Sequence, residues 1–233
     1  MSEAATPLPG GELALLGLLQ LVSPALPVGA FAWSQGLESA FELDWVRDEA
    51  SLGDWLEGVL FDGIGRLELP LLPRLLRAWR AEDVAALVAW NDWLLAARET
   101  RELLEEDVQL GHSLRRWLEG LGLAPEPGVL ARLETPAYVT LFARAARMRG
   151  LDERTATLGF GWAWLENQLG AACKALPLGQ SAAQRVIERL RPRLIEAVDI
   201  AETLADDELG PVTPGVTLAS ALHETQYSRL FRS

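Results

Sequence analysis

The chain has 233 residues, of which 49% are hydrophobic and 23% are charged, and its formal net charge is −12. These values are typical of a globular protein with a sizeable core, and the negative charge disfavours a nucleic acid as partner because the phosphates repel it. The only cysteine, Cys173, excludes an intrachain disulfide and a thiolate zinc cluster, and it fits a cytoplasmic location.

The first apolar run, LALLGLLQLV at 13–22, looks like the core of a signal peptide. A signal peptide carries a basic region ahead of that core, whereas the first basic residue of this chain is Arg47. The run is also too short to span a bilayer. It therefore predicts a buried helix, and we expect no association with a membrane.

Helix signals recur along the rest of the chain. The residues that predict helix starts are Ser51, Asp83, Thr135 before Pro136, Asp152 and Ser181. After Ser51, apolar residues at a spacing of three and four form one stripe, which is typical of an amphipathic helix. After Asp83, the pattern predicts one long helical segment from Val84 to about Leu118.

Prolines and glycines interrupt this helical pattern at four places. Breaks are predicted at Pro24 and Pro27, at Pro70 and Pro73, at 120–128 and at 209–215. Because the loops between them are short, we expect a single all-α domain over 1–233, with roughly eight to ten helices. Residues 1–10 are expected to be flexible.

Motifs of known enzymes are missing or incomplete. The chain has neither a P-loop nor a dinucleotide-binding glycine motif. Ser34 in AWSQG has Ala32 where a nucleophile elbow has glycine. His223 and Glu224 begin like a HExxH zinc motif, but Tyr227 stands where the second histidine belongs. We therefore predict that the protein is not an enzyme and holds no cofactor.

The charged run RETRELLEED at 98–107 has helical spacing. Arg98 with Glu102, and Arg101 with Glu105, stand four residues apart, where opposite charges pair on a helix surface. This spacing favours a solvated helix face.

The same run offers oxygen ligands for a passing divalent cation. Glu105, Glu106 and Asp107 follow one another, and His112 comes shortly after them. Histidine and cysteine are too scarce in this chain for a stable transition-metal site. A metal held here would be in transit or shared between subunits, and the solvated face remains the favoured interpretation.

Lys174 is the only lysine of the chain and follows an apolar helix predicted to begin near Asp152. A lysine near a helix C-terminus interacts favourably with the helix dipole. The alternative is an exposed contact to a carboxylate or phosphate of a partner.

Three blocks of sequence together resemble the UreF family of urease accessory proteins. They are LVSPALPVGAFAWSQGLE at 21–38, WLENQLGAACKALPLGQSAAQ at 164–184 and HETQYSRLFRS at 223–233. The run at 98–111 resembles a fourth, looser block, whereas 120–150 carries little family signal. Trp33 departs from the family pattern, in which tyrosine is common at this place.

The resemblance implies an all-helical, non-catalytic chaperone that forms a homodimer. Such a protein would bind the accessory protein UreD, also called UreH, and with it recruit the GTPase UreG. The assembly would dock on apo-urease and assist the delivery of nickel to its active site.

The resemblance also assigns residues 221–233 as a docking tail for UreD. The residues expected to bind the partner are His223, Glu224, Tyr227, Arg229, Leu230, Phe231 and Arg232. Tyr227, Leu230 and Phe231 would be buried anchors, and the two arginines would form charge-assisted hydrogen bonds. In the alternative interpretation, this segment folds back onto the core of its own chain.

Two further regions are candidates for contact surfaces. Lys174, Gly179 and Gln180 are expected to face the GTPase. The residues Pro24, Pro27, Gly29, Phe31, Trp33 and Gln35 are expected either to form a rigid turn or to face the dimer partner or the GTPase.

Two rival functions remain open at this stage. One is a modulator of UreG that acts like a GTPase-activating protein and inserts an arginine beside the nucleotide. The other is a helical binding module unrelated to urease.

Overall fold

The structure, a computed structural model, describes residues 11–176 and 178–233. These residues contain eleven α-helices and no strand, which confirms the predicted all-α class. The predicted flexibility of 1–10 falls outside the described residues. None of the described helices is both long and apolar enough to cross a membrane.

The helices follow one another closely along the chain. Their bounds are α1 Gly11–Leu21, α2 Leu37–Glu42, α3 Glu49–Gly58, α4 Glu68–Ala81, α5 Val84–Ala96, α6 Arg101–Gly120, α7 Pro127–Arg132, α8 Tyr138–Met148, α9 Glu153–Ala175, α10 Gln180–Ala201 and α11 Pro214–His223. Helix α3 continues into a π-helical turn, Val59–Gly63, and a 3-10 turn, Ile64–Arg66.

Two of the predicted helix starts are confirmed by their capping bonds. The Asp83 carboxylate accepts from the Ala86 N–H at 3.0 Å, and the Asp152 carboxylate accepts from the Thr155 N–H at 2.9 Å. Each bond satisfies one of the N–H groups that a helix leaves free in its first turn.

The other three predicted starts are wrong. Asp48 caps α3, and Ser51 completes the capping box from within the helix. Helix α8 begins at Tyr138, after Thr135 and its proline, and Ser181 lies inside α10. Serine or threonine caps a helix only where its own backbone is extended and lies just outside the helix. Whether that is so depends on how the loop packs.

The long helical segment predicted for 84–118 is two helices. The chain leaves helix geometry at Ala97 and starts again at Thr100, whose Oγ1 accepts from the Leu103 N–H at 3.2 Å. Conversely, no break occurs at Pro70 and Pro73, because both lie inside α4. Pro70 lies in the first turn, where a helix does not need the missing N–H.

Helix α4 lies at the centre of the core and packs against α5, α8 and α9. Its buried residues include Leu69, Leu72 and Leu76. Helix α6 packs on α8, and α9 packs on α10. The long helices α6, α9 and α10 therefore surround a core built from leucine and alanine.

Two glycines let α9 approach its neighbours closely. A β-carbon at Gly159 would lie 2.4 Å from Leu18 Cδ1 of α1, and one at Gly161 would lie 2.5 Å from Leu194 Cδ1 of α10. Larger side chains at these two positions would push the helices apart.

Candidate functional site

The segment 223–233, called the tail below, lies against the loop that precedes α2. The Ser34 N–H donates to the Ser233 backbone oxygen at 2.9 Å, and the Arg232 N–H donates to the Ala32 carbonyl at 2.8 Å. The tail therefore runs beside residues 32–34 and is attached to them by these backbone hydrogen bonds.

A buried histidine holds the beginning of the tail. His223 is fully buried between Glu38 of α2 and Glu102 of α6. Its Nε2 lies 3.2 Å from Glu38 Oε2, and its Nδ1 lies 2.8 Å from Glu102 Oε2. One ring nitrogen of His223 thus lies within hydrogen-bonding distance of each carboxylate.

The same two carboxylates also hold the end of the tail. Glu38 accepts the backbone N–H groups of Leu230 and Phe231 at 2.6 and 2.8 Å. Arg229 donates to Glu102 Oε1 at 2.9 Å. Buried carboxylates are tolerated only when they are paired and hydrogen-bonded, so the tail contributes to the stability of the core.

The side chains of the tail divide into an inward set and an outward set. Phe231 is buried in this chain's own core at 6% exposure, whereas Leu230 is 59% exposed and Tyr227 is fully exposed. Arg232 turns back to Gln109 Oε1 at 2.7 Å. Glu224 lies 3.3 Å from the Arg101 guanidinium. The fold-back interpretation therefore accounts for the inward set, while Tyr227 and Leu230 are exposed to solvent and their contact with a partner stays a prediction.

Lys174 connects the tail to the loop before α2. It stands next to the last residue of α9, as the pattern predicted. Its Nζ lies 5.4 Å from the centre of the Phe31 ring and 5.7 Å from that of Phe231, a cation–π arrangement on both sides. The Phe31 ring is itself 64% exposed. Lys174 therefore has contacts within its own chain, in addition to its exposure to solvent.

Some residues of the loop from Ser23 to Gln35 are exposed to solvent and others are buried. Pro24 and Pro27 face solvent, whereas Trp33 is buried. Gly29 has a φ of 83°, in the left-handed region that favours glycine, and starts a 3-10 turn at Ala30–Ala32. This geometry is that of the rigid turn; a contact of this loop with a partner stays a prediction.

Gln35 links this loop to the interior. Its backbone has a φ of 54°, which is uncommon for a residue with a side chain. Its Oε1 accepts from Trp164 Nε1 at 2.8 Å and from Gln168 Nε2 at 3.2 Å, and its Nε2 donates to Glu106 at 3.0 Å. These bonds offset the cost of the strained backbone.

Some of the charged residues in the run at 98–107 face the interior of the protein. Arg98 pairs with Glu68 of α4 at 2.7 Å and with Asp107 at 2.8 Å, and not with Glu102 as its spacing suggested. Burial alone would lower the pKa of Arg98, but the two carboxylates outweigh it and raise that pKa. The predicted pair of Arg101 and Glu105 is present at 3.8 Å. The solvated-face interpretation is therefore wrong for the residues of this run that face the core.

The candidate metal ligands do not form a common cluster. Glu105 is exposed, Glu106 is buried, and Asp107 is occupied by Arg98 and by the Tyr138 N–H at 2.6 Å. His112 lies further along α6. In 11–176 and 178–233, no three histidine, cysteine or acidic side chains come together as a metal site would require. A transient metal at these residues stays a prediction.

Burial raises the pKa of Glu106 to about 8. The Gln35 hydrogen bond and the Arg98 charge lower this pKa, whereas the charges of Asp107 and Glu68 raise it further. Between pH 4.5 and 8, the unfolded chain thus releases a proton that the folded chain retains.

Replacement of Glu106 by glutamine is therefore expected to remove a pH dependence of stability. In the unmodified protein, this group makes the free energy of unfolding fall as pH rises through that window, by up to about 1.4 kcal/mol per unit. Urea unfolding at pH values of about 5.5, 7 and 8.5 measures the slope. In Glu105→Gln, the matched control on the exposed face, the slope should persist. An equal slope in Glu106→Gln and the unmodified protein would contradict the expectation.

The segment that leads into α10 is exposed. Gly179 precedes the helix and Gln180 is its first residue, and both face solvent. Pro177, from the PLGQ motif, is outside the described residues. A contact between this segment and a GTPase stays a prediction.

The sequence reasoning missed the buried carboxylates, although α6 carries a signal for them. Glu102 and Glu106 are spaced by four from Leu110, Leu114 and Leu118, which are all buried. Acidic residues in phase with an apolar stripe indicate buried, paired charges.

Comparison with known proteins identifies the family. The UreF family model matches residues 46–191. A urease accessory protein UreF from Chromohalobacter salexigens is 66% identical over 95% of both chains. Proteins of the same name from Marinobacter nauticus and Psychrobacter cryohalolentis are each 62% identical, with at least 95% of each chain covered. These relatives are named as accessory proteins and not as enzymes. The chain therefore belongs to the UreF family of urease accessory proteins.

Proposed function

We propose that this protein is a non-catalytic scaffold that acts with UreD and the GTPase UreG to insert nickel into apo-urease. In this proposal it works as a cytoplasmic homodimer, and the tail is the docking element for UreD. The observation that carries the proposal is the exposure of three large side chains in the tail or in the loop beside it, Phe31, Tyr227 and Leu230. We call these three residues the tail surface.

The tail surface has the properties of a binding site. Its residues are aromatic or aliphatic and exposed, and such groups dominate the energy of protein interfaces once a partner buries them. The backbone beneath them is already ordered, because Glu38 binds the Leu230 and Phe231 N–H groups. A partner therefore does not need to order this part of the chain, which lowers the entropic cost of binding.

The arginines of the tail contribute differently. Arg229 serves the buried carboxylate of Glu102, so it supports the tail from within. Arg232 reaches Gln109 and lies 5.9 Å from the Trp33 ring, at the edge of the same surface. In the proposal, UreD contacts the apolar residues and Arg232, while Lys174, Gly179 and Gln180 face UreG.

The double substitution Tyr227→Ala and Leu230→Ala is expected to weaken UreD binding at least tenfold without lowering the stability of the protein. Truncated interface anchors cost about 2 kcal/mol or more each in binding, whereas exposed side chains contribute little to folding. Pull-down with purified UreD and urea unfolding measure the two effects. Val212→Ala removes apolar surface at another exposed position and serves as the matched control. Undiminished UreD binding by the double variant would reject the tail surface as the docking site.

Urease activity in cells tests the function as a whole. An operon without its own UreF gene is supplied with this chain, or with the double variant, in the presence of nickel and at equal urease protein. The unmodified chain should restore activity and the double variant should not. GTP hydrolysis by purified UreG, with and without this chain, separates the scaffold from a modulator of the GTPase. No restoration by the soluble chain in a matched operon would overturn the proposal.

A further inference from the structure

A cavity of about 270 Å³ lies between the loop before α2 and helices α6 and α9. Its wall is largely apolar and includes Leu21, Leu26, Phe160 and Trp164. Cavities of about 150 Å³ suffice for a molecule as large as benzene. The space is therefore adequate for a small organic ligand.

The polar part of the cavity wall includes two buried carboxyl groups, in addition to Ser23, Gln35, Arg98, Asp107, Tyr138, Glu166, Asn167 and Lys174. Glu68 and Glu106 both line it, and both are buried. The Oε2 atom of each has no hydrogen-bond partner among the described residues. Buried polar atoms nearly always have a partner, so two unpartnered carboxyl oxygens in one wall point to a ligand that supplies the donors.

The charges around these oxygens indicate the sign of the ligand. Glu106 faces Arg98, Glu68 of α4, Asp107 of its own helix and Tyr138 of α8. Arg98 compensates one of the two carboxylates that it binds. Of the described charged side chains that line the cavity, two are basic and four are acidic: Arg98 and Lys174, and Glu68, Glu106, Asp107 and Glu166. An excess of acidic groups therefore remains, and it favours a cation that donates hydrogen bonds.

The chemistry of the wall favours an organic cation over a metal ion. Among the described residues, neither histidine nor cysteine lines the cavity. Of the two other acidic side chains in the wall, Asp107 is occupied by Arg98 and Glu166 is half-buried. Two free oxygens do not fill the coordination shell of a divalent cation. The Arg98 guanidinium also repels a double charge about twice as strongly as the single charge of an organic cation at the same distance. An alkyl group, in contrast, gains from contact with the apolar wall.

We propose that this cavity is a binding site for a small organic monocation, an alkylated ammonium or guanidinium, whose charged head binds Glu68 and Glu106 and whose alkyl group contacts the apolar wall. The cavity shares Phe31 with the tail surface, but the proposal does not depend on the proposed role in urease maturation.

Isothermal titration calorimetry on the full-length protein tests the proposal with three probes: pentylguanidinium chloride, its neutral isostere pentylurea, and nickel chloride. At a pH of about 8, pentylguanidinium should bind at least about tenfold more tightly than pentylurea.

Two variants and one control locate the site. Glu106→Gln should weaken pentylguanidinium binding at least about tenfold, because it keeps the shape and removes the unpartnered carboxyl oxygen. Glu105→Gln, exposed on the same helix, should bind like the unmodified protein. Ala163→Phe, which enlarges a side chain of the wall, should lose pentylguanidinium binding while its circular dichroism is retained.

Three results would overturn the proposal. Equal affinity for pentylurea and pentylguanidinium would mean that only the apolar wall binds. An affinity in Glu106→Gln within twofold of the unmodified value would place the cation elsewhere. Nickel binding that depends on Glu106, without any binding of pentylguanidinium, would make the cavity a metal site.

Discussion

In the His223→Ala variant, the free energy of unfolding is expected to fall by about 3–5 kcal/mol, and the tail is expected to detach from the core. The substitution removes the ring that lies within hydrogen-bonding distance of both Glu38 and Glu102, so both buried carboxylates lose a polar neighbour. The penalty is large because a buried charge without a partner costs more than the hydrogen bond itself contributes.

Urea unfolding followed by circular dichroism measures the stability loss, and limited proteolysis measures the release of the tail. His112→Ala is the matched control, since His112 is the other histidine of the chain and lies outside this cluster. Its free energy of unfolding should change by about 0.5 kcal/mol or less. A His223→Ala protein with unchanged stability and a protected tail would show that the buried cluster does not hold the segment.

Replacement of Arg98 by alanine is expected to cost a similar amount, about 3–5 kcal/mol. Arg98 lies in the short connection between α5 and α6 and pairs with Glu68 and Asp107, which are buried in different helices. Without the guanidinium, both carboxylates remain in the core next to the buried Glu106, so their repulsion adds to the loss.

The adjacent Arg101→Ala variant is the control for Arg98, because Arg101 is exposed and its ion pair with Glu105 spans 3.8 Å. Such surface pairs contribute about 0–1 kcal/mol. The comparison is made by urea unfolding at a pH of about 6, where Glu106 is neutral. Equal losses in the two variants, or a rise in stability on removal of Arg98, would contradict the central role given to this ion-pair cluster.

These expectations matter for the design of functional tests. A variant of His223 or Phe231 alters the fold of the tail, and its effect on urease activation is then a consequence of stability. Tyr227 and Leu230 are exposed, so their replacement tests docking alone. Any loss of activation should be interpreted together with the free energy of unfolding of the same variant.

Several features of the fold were predictable from short stretches of sequence. The all-α class follows from the helical spacing of apolar residues, and the caps at Asp83 and Asp152 follow from side chains that bond within three residues. The interruption at Pro24 and Pro27 is equally local. The three blocks that resemble the UreF family also lie in short continuous stretches.

Other features depended on residues far apart in the chain. The turn at 97–100 interrupts a pattern that looks helical throughout, and the ion pairs of Arg98 with Glu68 and Asp107 lie where the chain changes direction. Glu68 is thirty positions away, so spacing along one helix favoured a pairing with Glu102 that does not form. Likewise, Glu38 and His223 meet although nearly the whole chain separates them.

The helical class and some of the helix starts could be predicted from the sequence, because they depend on interactions between residues a few positions apart. The family could be recognised because its motifs are short and continuous. Which charges are buried, how the tail is divided between core and surface, and where the cavity lies follow from the packing of distant helices. A buried carboxylate is costly in free energy unless it is paired. Its partner is a residue that lies near it in the folded structure, and such a residue can be far away along the chain.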